Sequence, residues 1–69
     1  MKEIKSKLEK TRGQLVKLAE KRDKSYSSKS EKWQDSDKGV AYEVDTMLIA
    51  DVVADLDKAI YNANLFLKN

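Results

Sequence analysis

From about Ser36 to Leu67 the chain repeats apolar residues at the spacing of one long helix. Tyr42, Ile49, Val53, Leu56, Ile60, Ala63 and Leu67 fall on one face, separated by sevens or by threes and fours. Leu48, Val52, Ala59 and Phe66 widen that face along one flank. A second stripe of Met47, Ala50, Ala54, Tyr61 and Leu65 lies on the far side, with the charges confined to narrow strips between. A helix that is apolar on two sides is normally covered on two sides. Only one other long helix is available to cover it, so the pattern predicts self-association, with Met47, Ala50, Ala54, Tyr61 and Leu65 as the surface between copies.

The first helix is predicted over about residues 2–24. Ile4, Leu8, Thr11, Leu15, Leu18 and Arg22 are spaced by fours and threes, with Val16 and Ala19 broadening one apolar stripe. Gly13 lies opposite that stripe and costs about 1 kcal/mol of helix stability relative to Ala. The run Ser25-Tyr26-Ser27-Ser28-Lys29-Ser30 breaks the pattern, because serine competes for backbone hydrogen bonds and favours caps and turns. A bend over about 25–35 follows, in which Ser28 and Glu31 form a capping box. Ser36 is read as the cap of the long helix over about 36–67, with Asp37 in its first turn, and Gly39 marks a kink or a close contact there.

The expected fold is therefore all-α: a single domain over 1–69, an antiparallel helical hairpin with a short helical bend, self-associating into a bundle or coiled coil. Leu8 then faces Ile60, Leu15 faces Val52, and Arg22 faces Asp45. Arg22 and Asp45 are the ionic residues placed centrally on each apolar face, and they are expected to form an ion pair that sets the register.

Length sharpens the case for association. At 69 residues a lone core is marginal, and the chain has neither cysteine for disulfides nor histidine. Their absence removes Cys/His zinc sites and Ser/His or Cys/His nucleophile pairs. No metal or cofactor is expected, and no enzyme. The acidic start Asp35, Asp37, Gly39 does not continue as a calcium loop, since Val40 and Thr46 stand where glycine and glutamate are required. Asp51 and Asp55, four apart, have nothing near them in sequence to complete a site. The chain has no apolar run long enough for a signal peptide or a membrane span, and a cytoplasmic location is expected.

Net charge is +2, but its distribution is uneven. Residues 1–34 carry eleven Lys and Arg against five Asp and Glu, net +6. Residues 35–69 carry three against seven, net −4. Opposite charges suit helices that pack together, within a chain or between chains, and leave a basic outer surface. Chemistry-bearing side chains gather only at the bend: Tyr26, Lys29, Lys32, Trp33, Lys38 and Tyr42, interleaved with serines. Aromatic faces beside ammonium groups can hold a protein partner, a base or a phosphate. Alternatively, Trp33 and Tyr42 cap the open end of the hairpin core while the lysines stay solvated.

The segment Ser30-Glu31-Lys32-Trp33-Gln34-Asp35-Ser36-Asp37-Lys38-Gly39, followed by Tyr42 and a long helix, resembles small uncharacterised proteins encoded by bacteriophages. In those a Ser-x-Lys-Trp-Gln-x-Ser-x-Lys-Gly-x-x-Tyr pattern precedes a terminal helix. The resemblance spans about residues 25–60, with the Trp-Gln and Lys-Gly elements as its specific part. It implies a phage or prophage origin and a binding role in host takeover or counter-defence within the bacterial cytosol, and it transfers no functional residues. The expected function is that of a non-enzymatic oligomeric protein engaging a host or phage macromolecule. The alternatives are a sequestering or nucleic-acid-binding module using the bend residues, and a purely structural oligomer.

Overall fold

The computed structural model describes all 69 residues, and every element in it is helical: α1 (Lys2–Ser27), α2 (Glu31–Gln34) and α3 (Asp37–Lys68). No helix is long and apolar enough to cross a membrane. α1 runs three residues beyond the serine-rich boundary expected from sequence. Its last turn is held by Tyr26, which packs on two other aromatic rings, and the helix stops at Ser28, whose amide bonds the Lys24 carbonyl and whose hydroxyl donates to the Ser25 carbonyl. The cap of α2 is Ser30 rather than Ser28. Ser30 is extended (φ −65°, ψ 155°), and its hydroxyl accepts the Trp33 amide at 3.2 Å. Ser36 caps α3 in the same way, accepting the Gly39 amide at 3.2 Å.

α1 and α3 lie against each other along their lengths. Arg12 bonds Asp57, Arg22 bonds Thr46, and Tyr26 bonds Glu43, so early residues of one helix meet late residues of the other. On α3 the residues turned towards α1 include Tyr42, Thr46, Ile49, Val53, Leu56, Ile60 and Ala63, in unbroken steps of three and four. On α1 they are Lys5, Leu8, Arg12, Leu15, Ala19, Arg22 and Tyr26, at the same rhythm. Leu8, Leu15 and Arg22 were expected on that seam. Ile4, Thr11 and Leu18 are instead displaced outward by Lys5, Arg12 and Ala19, one residue further along the chain. The long stems of Lys5 and Arg12 cover apolar surface while their charged ends reach carboxylates, Glu9 and Asp57 respectively.

The Cα framework measures 54 × 15 × 11 Å, the shape of two helices side by side in a single layer. Along most of its length each long helix therefore has only the other long helix as neighbour, and the remainder of its circumference faces outward. Ala63 is the only buried apolar side chain, and no large side chain is fully enclosed. Met47, Tyr61 and Leu65 are exposed, as are Leu48, Val52 and Phe66 on the opposite flank. Leu67, expected on the main seam, is exposed at the end of α3.

Candidate functional site

The bend brings three of the six residues singled out there into one aromatic cluster. Trp33 meets Tyr26 and Tyr42 edge-on, with ring centroids 6.2 Å and 5.8 Å apart, while Tyr26 and Tyr42 stack at 6.5 Å. All three are half-buried. The cluster exists because α1 supplies Tyr26, α2 supplies Trp33 and the first turns of α3 supply Tyr42, each through the serine caps that set where its helix starts or stops. The Lys29 ammonium lies 5.5 Å from the Trp33 ring centroid. Lys32 and Lys38 are exposed and make no ion pair.

Two further residues lock this end: Gln34, which was given no role of its own in the sequence, and Gly39, where a kink or a close contact was expected and a close contact is found. Gln34 turns back so that its amide nitrogen donates to the carbonyl of Tyr26 (2.9 Å), which also accepts the Lys29 backbone amide, and to the carbonyl of Lys29 (3.2 Å), tying α2 to the end of α1. Gly39 is the buried glycine of α3. A Cβ placed there would fall 2.2 Å from the Trp33 carbonyl oxygen and 2.7 Å from the Gln34 Cα, so only a residue without a side chain lets the backbones of α2 and α3 approach this closely. The Trp-Gln and Lys-Gly pairs are thus the two halves of one contact.

Arg22 does not pair with Asp45. Its Nε donates to the Thr46 hydroxyl at 2.9 Å, its Nη2 donates to the Tyr42 carbonyl at 3.0 Å, and its guanidinium carbon sits 3.9 Å from the Tyr42 ring centroid. Thr46, four residues after Tyr42, takes the seam position, and its hydroxyl also donates to the Tyr42 carbonyl at 3.0 Å. This arrangement satisfies the guanidinium without desolvating a carboxylate, and Asp45 stays exposed. The charge pair that does join the long helices is Arg12 with Asp57, whose side chains are about half exposed.

The Tyr26 hydroxyl donates to Glu43 at 3.2 Å, and its pKa is raised above the ordinary tyrosine value. Partial burial is the larger cause; the Glu43 carboxylate adds to it by charge and by accepting the hydrogen bond, and Asp35 contributes from further away. No group of three or more acidic side chains converges anywhere in the chain.

The expected surface between copies, Met47, Ala50, Ala54, Tyr61 and Leu65, is exposed along its whole length. Comparison with models of known families, with curated proteins and with solved structures found no match.

Proposed function

We propose that this chain is a non-enzymatic helical hairpin that works by association: copies pack through the apolar surface that one hairpin leaves open, and the assembly engages a host or phage macromolecule. The observation carrying this reading is the imbalance between surface and core. Twelve large hydrophobic side chains are exposed while only Ala63 is buried among apolar residues. A folded monomeric protein of 7.9 kDa exposes about 4,400 Å² by the usual scaling with mass. This chain exposes 5609 Å², an excess of about 1,200 Å². A standard protein interface covers about 800 Å² on each partner, so one such contact removes most of the excess.

The test is light scattering combined with circular dichroism across a dilution series. Association predicts a mass at least twice that of one chain, and helicity that falls together with that mass on dilution, since partner chains that supply the core also supply stability. A helical species of single-chain mass at every concentration would refute the reading.

A second reading is supported by the bend lysines. Lys29, Lys32 and Lys38 carry no ion pair, and the Lys29 ammonium lies 5.5 Å from the Trp33 ring of the aromatic cluster, an arrangement suited to an anionic partner such as a nucleic acid. Binding of that kind weakens steeply as salt is added, whereas association through apolar surface does not. Fluorescence anisotropy with a labelled oligonucleotide at two salt concentrations separates the two.

A further inference from the structure

Granting that copies associate, we infer which face meets and in which orientation: the second copy docks on the flank formed by Ile4 and Leu18 of α1 with Val52 and Phe66 of α3, lying parallel to the first so that each α1 crosses onto the α3 of its partner. This is a different surface from the Met47, Tyr61 stripe.

The two sides of the hairpin differ in chemistry. The residues immediately preceding alternate seam positions lie on one side: Ile4, Thr11 and Leu18 precede Lys5, Arg12 and Ala19, and Val52 and Ala59 precede Val53 and Ile60, with Phe66 one heptad further on. Arg12 is level with Asp57 and Tyr26 with Glu43, so Leu18 is level with Val52 and Ile4 with Phe66. Four large apolar side chains thus form two rungs of one strip, each exposed in the single chain, with Leu18 at 44% and Val52 at 46%. The residues following the seam occupy the other side, and there Met47 and Tyr61, also exposed, alternate with the carboxylates Glu9, Asp23, Glu43 and Asp57. On the seam beside that side Lys5 and Arg12 engage Glu9 and Asp57, which leaves Asp23 and Glu43 there as carboxylates without a cation. A second copy placed over the Met47, Tyr61 stripe therefore brings carboxylates towards carboxylates, while one placed over Leu18 and Val52 does not.

Charge also selects the orientation. Beyond the Leu18, Val52 strip, α1 is bordered by Lys17 and Lys21, and α3 by Asp51 and Asp55, at overlapping levels. None of these four is paired within the chain. A two-fold axis running along the hairpin sets the basic border of one copy on the acidic border of the other at the same level. It also makes every neighbouring pair of helices antiparallel, as in an up-down-up-down four-helix bundle. A two-fold axis across the hairpin would instead lay α1 on α1 and α3 on α3, opposing like charges.

The experiment uses the full chain and reads mass by analytical ultracentrifugation and helicity by circular dichroism. Leu18→Glu and Val52→Glu place a carboxylate in the strip and raise the dimer dissociation constant by about thirtyfold or more. Met47→Glu and Tyr61→Glu leave it within about threefold. Because substitution at Leu18 or Val52 can also lower stability, a second set relies on exposed charges alone. Lys17→Glu with Lys21→Glu, and separately Asp51→Lys with Asp55→Lys, each weaken self-association, and an equimolar mixture of the two proteins restores it. Loss of association on Met47→Glu or Tyr61→Glu, with Leu18→Glu and Val52→Glu tolerated, would overturn this face while leaving association itself intact. Charge variants that each self-associate as tightly as the wild type would overturn the orientation. A wild-type chain that is monomeric throughout would remove the premise as well.

Discussion

Gly39 and Trp33 are joined backbone to backbone: the space where a Gly39 side chain would begin is occupied by the Trp33 carbonyl oxygen, 2.2 Å from the ideal Cβ position. This contact fixes how close α2 lies to the start of α3, and with it where the indole can sit. It also explains a glycine inside the first turn of a 32-residue helix, where the backbone is ordinarily helical and no positive φ calls for one.

Gly39→Ala should accordingly displace α2. Alanine gains up to about 1 kcal/mol of helix propensity, but the obstructing atoms are main-chain atoms of two residues and cannot rotate away. A net loss of about 2 kcal/mol or more is expected. Thermal melting gives the magnitude. The fluorescence of Trp33, the only tryptophan, should shift because its packing on Tyr26 and Tyr42 is lost.

Gly13 makes the opposite prediction. Nothing lies within 4 Å of a Cβ built there, so Gly13→Ala removes only the conformational cost of glycine in a helix. It should stabilise the fold by about 0.5–1 kcal/mol. For a chain of this size that raises the melting temperature by roughly 4–8 °C per kcal/mol. A lower melting temperature would mean that this side of α1 is covered in the assembled protein.

Arg22 and Asp45 separate the observed contact from the ion pair that pattern alone suggests. Arg22→Met keeps the aliphatic stem and removes two hydrogen bonds and the contact with the Tyr42 ring, at a cost of about 1–2 kcal/mol. Asp45→Asn should change stability by less than about 0.5 kcal/mol. Equal losses in urea denaturation would place the carboxylate, and not Thr46, against the guanidinium.

The long helix was readable because its seam is built from residues whose chemistry is unambiguous. Ile49, Val53, Leu56, Ile60 and Ala63 keep the three-and-four rhythm, and Ser36 announces the start. α1 was harder because its seam mixes leucines with Lys5 and Arg12. Pattern reading counts these as polar, whereas in the fold their stems shield apolar surface, and Ile4 and Leu18 move to the flank. At the bend the aromatic residues were identifiable by type, and their convergence was one of two open readings. Gly39 was legible as a kink or a close contact but its partner was not, and the role of Gln34 was not visible, because each depends on the position of a neighbouring helix: the Gln34 amide on where α1 ends, the Gly39 gap on how near α2 comes.

Tyr26 gives the fold a dependence on alkaline pH. A tyrosine that ionises at 10.0 when unfolded keeps its proton to higher pH here, because partial burial and then Glu43 disfavour the phenolate. Its contribution is therefore fully present below pH 10, and it is lost progressively as pH rises from 10 through the folded-state value, where the unfolded chain has released a proton that the folded chain still holds. Wild-type stability should fall across that range more steeply than that of Tyr26→Phe, which has no phenol to ionise at this position. Tyrosinate absorbance should show one of the three tyrosines titrating late in the folded protein. Glu43→Gln distinguishes the causes, since it removes the charge but leaves the ring where it is. The delay should shrink without vanishing, because burial is the larger contribution. Complete loss of the delay in Glu43→Gln would assign it to the carboxylate alone.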